Sequence, residues 1–260
     1  MANLRINQIE FIRAYKMYQY MSKFPQLIER IRETFLSVME EKNIVTREQI
    51  ITETKHFLEK FGGHLSIDDF DEYVNTMIDI YFATNFSDSD IKNYVNLVRK
   101  KDKCTELSRL VNLETTTTEQ VEKALHEFCA IPMGELYISK TEAIGIRVEL
   151  INRYISAQLP YTRVAKNYIT IRDMDTLISK SIGGRSMPGK FGGKAAGIVL
   201  AQKILKPLLE KQDPDYEKHV RFPETFFIRS GVFQRFTEIN NLHDIHTHKY
   251  RDIQDIEHEY

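Results

Sequence analysis

Six of the eleven glycines of this 260-residue chain lie between Gly183 and Gly197. Glycine lets the backbone adopt positive φ angles and approach a ligand closely. Apolar residues recur at helical spacing from Ala195 onward, so the stretch predicts a loop that runs into the start of a helix. Such a start presents free backbone N–H groups and the positive end of the helix dipole, which bind anions, most often phosphate.

The stretch departs from two familiar nucleotide-binding loops. Residues 184–190 fit the first seven positions of the P-loop pattern, but Phe191 stands where a serine or threonine hydroxyl would hold Mg²⁺. Gly189, Gly192 and Gly193 do not have the spacing of a dinucleotide-binding loop, which is therefore excluded. The alternative that the glycines build only a tight structural turn stays open.

The composition is typical of a packed protein without a strongly charged surface. Apolar residues make up 42% and charged residues 28% of the chain, which argues against a disordered chain. The formal net charge of −1 argues against a general nucleic-acid binder, which needs a surplus of basic residues. Cys104 and Cys129 lie far apart and indicate reduced thiols in a cytoplasmic protein. We expect no signal peptide and no contact with a membrane.

Residues 1–130 are predicted to form an all-α module of six helices, because apolar residues recur there at helical spacing. Capping boxes are predicted at Thr46 with Gln49 and at Thr117 with Gln120. Aromatic residues of the first helix are expected on its core-facing surface, with the last two of them partly exposed: Phe11, Tyr15, Tyr18 and Tyr20.

Residues 131–182 are predicted to be a mixed α/β connecting segment. Residues 135–139 and 168–171 contain the β-branched and aromatic residues typical of short strands. Thr141 and Asp173 are expected to cap the helices that follow these strands.

Histidines near the end of the chain have the ligand type of a metal site: His243, His246, His248 and His258. No cysteine or glutamate is placed as a clean fourth ligand. We interpret these histidines as solvent-exposed, so no metal-binding residue is predicted.

Three segments in order resemble the nucleotide-binding domain of the pyruvate phosphate dikinase and phosphoenolpyruvate synthase family. Residues 191–201 (Phe-Gly-Gly-Lys-Ala-Ala-Gly-Ile-Val-Leu-Ala) resemble the motif that opens this domain. Residues 220–228 are similar to the strand that follows, with Phe226-Phe227-Ile228 as the predicted strand itself. Residues 230–242 are similar to the next helix, and Ser230 is its expected cap.

This resemblance implies that the chain binds ATP with Mg²⁺. It implies that Lys194 contacts the nucleotide phosphates beside Gly192 and Gly193. Lys190 and Arg185 are further candidates for contacts with the phosphate charge. Catalysis in such enzymes is mostly positioning and charge neutralisation, and no catalytic residue is assigned to this chain.

The predicted fold class is α+β, with the helical module at 1–130, the connecting segment at 131–182 and the first part of an ATP-grasp-like domain at 183–260. The resemblance implies the N-terminal portion of an ATP-dependent phosphotransferase, whose partners are the nucleotide and the remaining phosphotransferase domains. This portion alone is expected to bind nucleotide weakly and to be inactive. The alternative is a non-catalytic helical protein-interaction or regulatory module with a relic nucleotide loop.

Overall fold

Helices dominate the fold, so the predicted α+β class is wrong. The computed structural model describes residues 8–61, 67–132, 138–183, 187–242 and 252–257. Helices account for 75% of the structure and strands for 2%. The described residues contain no ATP-grasp β-sheet. Their strands are two residues long, whereas strands in stable sheets usually have about five.

The chain divides into two compact units, Met1–Asp102 and Lys103–Tyr260, called here the N-terminal unit and the C-terminal unit. The helices of the N-terminal unit are α1 (Gln8–Met21), α2 (Ile28–Glu41), α3 (Arg47–Phe61), α4 (Ile67–Asn85) and α5 (Asp88–Asn112), which extends past the boundary. The elements of the C-terminal unit are α6 (Thr118–Ala130), α7 (Lys140–Tyr154), α8 (Leu159–Ala165), α9 (Ile171–Ser179), β1 (Ser181–Ile182), α10 (Gly193–Gln212), β2 (Phe227–Ile228), α11 (Ser230–Ile239) and α12 (Ile253–Glu257). Among these described helices, none is both long enough and apolar enough to cross a lipid bilayer.

The N-terminal unit is built by packing α1, α2 and α3 against α4. The predicted capping box at the start of α3 is confirmed, because the Thr46 N–H donates to Gln49 Oε1 at 2.9 Å and the Gln49 N–H donates to Thr46 Oγ1 at 3.3 Å. The core of this unit contains a cluster of aromatic rings around Phe82.

Helix α1 packs against the core through a face that lies next to its aromatic residues Phe11, Tyr15 and Tyr18. Its buried residues are Ala14, Met17 and Met21. Phe11 and Tyr15, which were predicted for the core, are instead 58% and 54% exposed, and Tyr18 is 45% exposed. The prediction was wrong because α1 has apolar residues on both sides. The small alanine and the adaptable methionines allow α1 to lie close against α4.

Where the structure describes it, the connecting segment forms α7, α8 and α9, and its last two residues form β1. The predicted strand at 168–171 is wrong, because Thr170 is the N-cap of α9 and forms a capping box with Asp173. Ile169 and Ile171 on either side of Thr170 are buried. Buried and more exposed residues therefore alternate before α9, as they do along a strand. Ser139, two residues before the predicted cap, accepts a hydrogen bond from the Glu142 N–H and caps α7. Residues 135–137 of the other predicted strand lie outside the described residues.

One short strand precedes the glycine-rich loop in the sequence and a second follows it, and the two strands pair in parallel. β1 pairs with β2 in the register Ser181 with Phe227 and Ile182 with Ile228, which confirms two residues of the strand predicted at 226–228. α10 lies between the two strands in sequence, as in a β–α–β unit. Because parallel strands end at the same edge, the loop after β1 and the start of α11 after β2 meet there.

Candidate phosphate-binding site

The glycine-rich loop enters α10 through Gly192. This residue is the N-cap and has a φ angle of 82°, which favours glycine. α10 begins at Gly193, two residues before the start predicted at Ala195. Among the described residues, no side chain caps the helix. The first-turn N–H groups of Gly193, Lys194 and Ala195 therefore have no side-chain acceptor there.

No described atom crowds the two glycines at this helix start. A Cβ atom placed on Gly192 or Gly193 would meet no described atom within 4 Å beyond its own helix. The φ angle explains the glycine at position 192, but Gly193 has a helical backbone. Its missing side chain leaves the first-turn N–H groups accessible to an anion.

Two lysines flank the open glycines. Lys194 lies in the first turn of α10 with an exposed side chain, and Lys190 is half-buried in the loop. Neither ammonium group forms an ion pair with a residue that the structure describes. Arg185 lies outside the described residues, so its predicted phosphate contact stays a prediction.

Aromatic residues hold the glycine-rich loop and the first turn of α10 by hydrogen bonds and ring packing. The Phe191 N–H donates to the carbonyl of Tyr154 at 2.9 Å, and its buried ring lies 5.6 Å from that of Phe227. The Tyr161 hydroxyl donates to the carbonyl of Ala196 at 3.0 Å. Burial raises the pKa of Tyr161 to about 12, so this donor keeps its proton at neutral pH.

Ser230 ties the loop to the start of α11. The Lys190 N–H donates to Ser230 Oγ at 3.2 Å, and the Ser230 N–H donates to the Lys190 carbonyl at 3.1 Å. The N-cap of α11 is Arg229, so the capping role predicted for Ser230 is wrong. Its hydroxyl accepts a hydrogen bond from the loop instead, and this holds the loop against α11.

Gly189 lies where the loop passes close to α11. Its φ angle is 106°, and a Cβ atom there would lie 2.3 Å from Ser230 Oγ and 2.7 Å from the Gly231 nitrogen. We expect Gly189→Ala to lower the free energy of unfolding of the C-terminal unit by about 1–3 kcal/mol, because the loop must move away from α11. Urea denaturation followed by circular dichroism measures this loss.

The matched control for this prediction is Gly193→Ala. The added methyl group meets open space and the helical backbone suits alanine, so the free energy of unfolding should change by less than about 1 kcal/mol. An equal loss of unfolding free energy in both variants would contradict the conclusion that only Gly189 is required for the close contact with α11.

A buried arginine forms a hydrogen bond with the backbone of the loop. Arg229 follows β2, is only 1% exposed, and forms an ion pair with the buried Glu122 of α6 through Nη1 and Oε1 at 2.6 Å. The same Nη1 donates to the Met187 carbonyl at 2.9 Å. Nε and Nη2 donate to Ser181 Oγ at 3.0 and 2.8 Å. One side chain therefore joins α6, β1 and the loop.

The role of Arg229 had no signal in the sequence. Its partner Glu122 lies 107 positions earlier, and both residues have ordinary surface character when considered alone. The arginine is a structural support for the loop, because its hydrogen-bonding atoms face the interior of the unit.

The described residues of the loop lie outside the two cavities described for this chain. They line neither the cavity of about 450 Å³ beside the start of α7 nor the groove of about 470 Å³ in the N-terminal unit. Within the described parts of the chain, no three histidine, cysteine or acidic side chains are grouped as metal ligands. The four histidines considered in the sequence lie outside those parts.

The structure brings four of the five predicted binding residues to one helix start: Lys190, Gly192, Gly193 and Lys194. The backbone N–H groups and the ammonium group of Lys194 form an arrangement that can bind the oxygen atoms of an anion. No protein-family model, no curated protein and no solved structure matches this chain.

Proposed function

We propose that this chain binds the phosphate groups of ATP at the start of α10. The observation that carries the proposal is the uncapped helix start at Gly192 and Gly193, where no described atom crowds either glycine and the exposed Lys194 lies beside them. Phosphate oxygens would accept hydrogen bonds from the first-turn N–H groups and from the lysine ammonium. The position at the carboxyl end of β1 agrees with the usual place of ligands in parallel α/β units.

The chain further serves, in this proposal, as the N-terminal portion of an ATP-dependent phosphotransferase of the pyruvate phosphate dikinase type. The support is the resemblance of the three segments, of which the first includes the start of α10, the second ends in β2 and the third includes α11. The resemblance also implies Mg²⁺, but the described residues offer no group of three metal ligands. We therefore assign no metal contact and no catalytic step to this chain.

Apolar side chains near the loop favour a partner domain. Ile182 and Ile228, which pair across the two strands, are 49% and 61% exposed. Phe233 and Phe236 on α11 are exposed as well. In this proposal a further phosphotransferase domain covers these side chains, and without that domain the chain binds nucleotide weakly.

Lys194→Ala is expected to weaken ATP binding by about 10- to 100-fold. The reason is the loss of a charge-assisted hydrogen bond, which contributes about 1.5–3 kcal/mol. Isothermal titration calorimetry of the full chain with ATP and Mg²⁺ measures the affinity. Tripolyphosphate should compete with ATP and AMP should not, because the proposed contacts are to phosphate oxygens.

Lys211→Ala is the matched control, since Lys211 is an exposed lysine in the last turn of the same helix. This variant should bind ATP as the unchanged chain does. Absence of any binding heat in the unchanged chain would refute the proposal, as would equal losses in the two lysine variants.

A further inference from the structure

The N-terminal unit has a groove that the proposed nucleotide site does not use. It has a volume of about 470 Å³ and is lined by residues of α1, α2 and α4. α1 and α2 both pack against α4, so α4 supplies the floor of the groove and the other two helices supply its walls.

One wall of the groove is aromatic. Phe11, Tyr15 and Tyr18 are spaced at i, i+4 and i+7 and form one stripe along α1. All three are about half exposed. Ile9 and Ile12 on the outer side of α1 are exposed too. A helix that is apolar on its outer side as well as its core side usually has a second packing partner.

The opposite wall and the floor are acidic. Arg32 donates two hydrogen bonds to Asp79, from Nε at 3.2 Å and from Nη2 at 2.9 Å, so the one guanidinium that lines the groove is already neutralised. Glu29 also contacts Arg32 at 3.3 Å, but its side chain is 74% exposed. Glu72 is exposed at the edge of α4. Three carboxylates and one guanidinium leave a formal charge of −2 in the groove.

We propose that this groove binds an amphipathic helix of a partner protein that carries lysine or arginine beside its apolar face. The apolar face would cover Phe11 and Ile12. A cationic side chain would lie over the rings of Tyr15 and Tyr18 and face the carboxylates of Glu29 and Glu72. Docking of an apolar helix face into a groove between helices is a common mode of recognition. This function is separate from the proposed nucleotide site.

Two synthetic peptides of opposite charge test the proposal. The first is a helical peptide about four turns long with leucine on one face and lysine on the other, and the second has glutamate in place of every lysine. Fluorescence anisotropy with the full chain should show binding of the lysine peptide, and the glutamate peptide should bind at least about tenfold more weakly. Equal binding of both peptides would overturn the proposal.

Variants of the chain locate the binding surface. The double variant Glu29→Gln with Glu72→Gln and the single variant Tyr15→Ala should each weaken binding of the lysine peptide by about tenfold. The matched control is Glu41→Gln with Glu48→Gln, which removes two exposed charges away from the groove and should leave binding unchanged. An equal effect of the two double variants would overturn the proposal.

The oligomeric state of the chain tests whether a second copy of the chain, rather than a partner protein, occupies the groove. Sedimentation velocity should find the chain monomeric at the concentrations of the peptide experiment. A dimer that Tyr15→Ala dissociates would show that a second copy of the chain covers α1, and this result would overturn the proposal of a basic partner helix.

Discussion

Arg229→Ala is expected to lower the free energy of unfolding of the C-terminal unit by about 3–5 kcal/mol, the usual loss when one partner of a buried ion pair is removed. The substitution leaves the carboxylate of Glu122 buried without the guanidinium at 2.6 Å. It also removes the donors to Ser181 Oγ and to the Met187 carbonyl. Urea denaturation followed by circular dichroism measures the loss.

The packing of Arg229 adds to this effect. Its guanidinium carbon lies 5.6 Å from the ring centre of Tyr154 and 5.9 Å from that of Phe191. Burial, together with the nearby charge of Glu122, raises the pKa of the Tyr154 hydroxyl, so this ring stays neutral beside the ion pair. Truncation of Arg229 therefore removes contacts in a region where both charges and rings are shielded from water.

Arg235→Ala is the matched control, because Arg235 is an exposed arginine of the neighbouring helix α11. Its effect should stay within about 0.5 kcal/mol. The double variant Arg229→Met with Glu122→Leu should be more stable than Arg229→Ala, since it removes both charges of the buried pair together. A loss below about 1 kcal/mol in Arg229→Ala would show that the buried pair is not a main support of the unit.

Phe82→Ala is expected to lower the free energy of unfolding of the N-terminal unit by about 3–5 kcal/mol. The ring of Phe82 is fully buried. It stacks on Phe35 and on Phe86, with ring centres 3.7 and 4.1 Å away, and meets the edge of Tyr94 at 5.7 Å. Alanine at this position leaves a cavity that α2, α4 and α5 would have to close. Hydrogen exchange measured by mass spectrometry on peptides from α2 and α4 reports the loss in this unit.

Tyr73→Ala tests whether the effect depends on burial. Tyr73 lies on the same helix as Phe82 but is 42% exposed. Its replacement should change the free energy of unfolding by less than about 1 kcal/mol. If Phe82→Ala and Tyr73→Ala lose similar protection from hydrogen exchange, the measured stability depends on α4 as a whole and not on the ring cluster.

Local features of the fold were predictable from short stretches of sequence. The capping boxes at Thr46 and Thr117 are confirmed, because a cap and its partner lie three residues apart and need nothing else. The start of α10 was predicted to within two residues for a similar reason. Glycines and helical periodicity act over a few positions, so one sequence contains the whole signal.

Features that depend on packing were predicted poorly. Residues 168–171 alternate in burial like a strand, but Thr170 bonds to Asp173 and begins a helix. The apolar pattern of α1 did not reveal that Ala14 faces the core and Tyr15 faces solvent. In both cases the same residues fit two structures, and contacts with other helices select one of them.

The candidate site divides in the same way. The residues of one short stretch determine the loop, the helix start and the cation at Lys194, because backbone angles and helix capping depend on near neighbours. Only the tertiary structure brings Glu122 to Arg229 across 107 positions and Ser230 to the backbone of Lys190 across 40. Buried charge pairs and long-range hydrogen bonds form only where the packed chain excludes water, and that exclusion is a property of the whole unit.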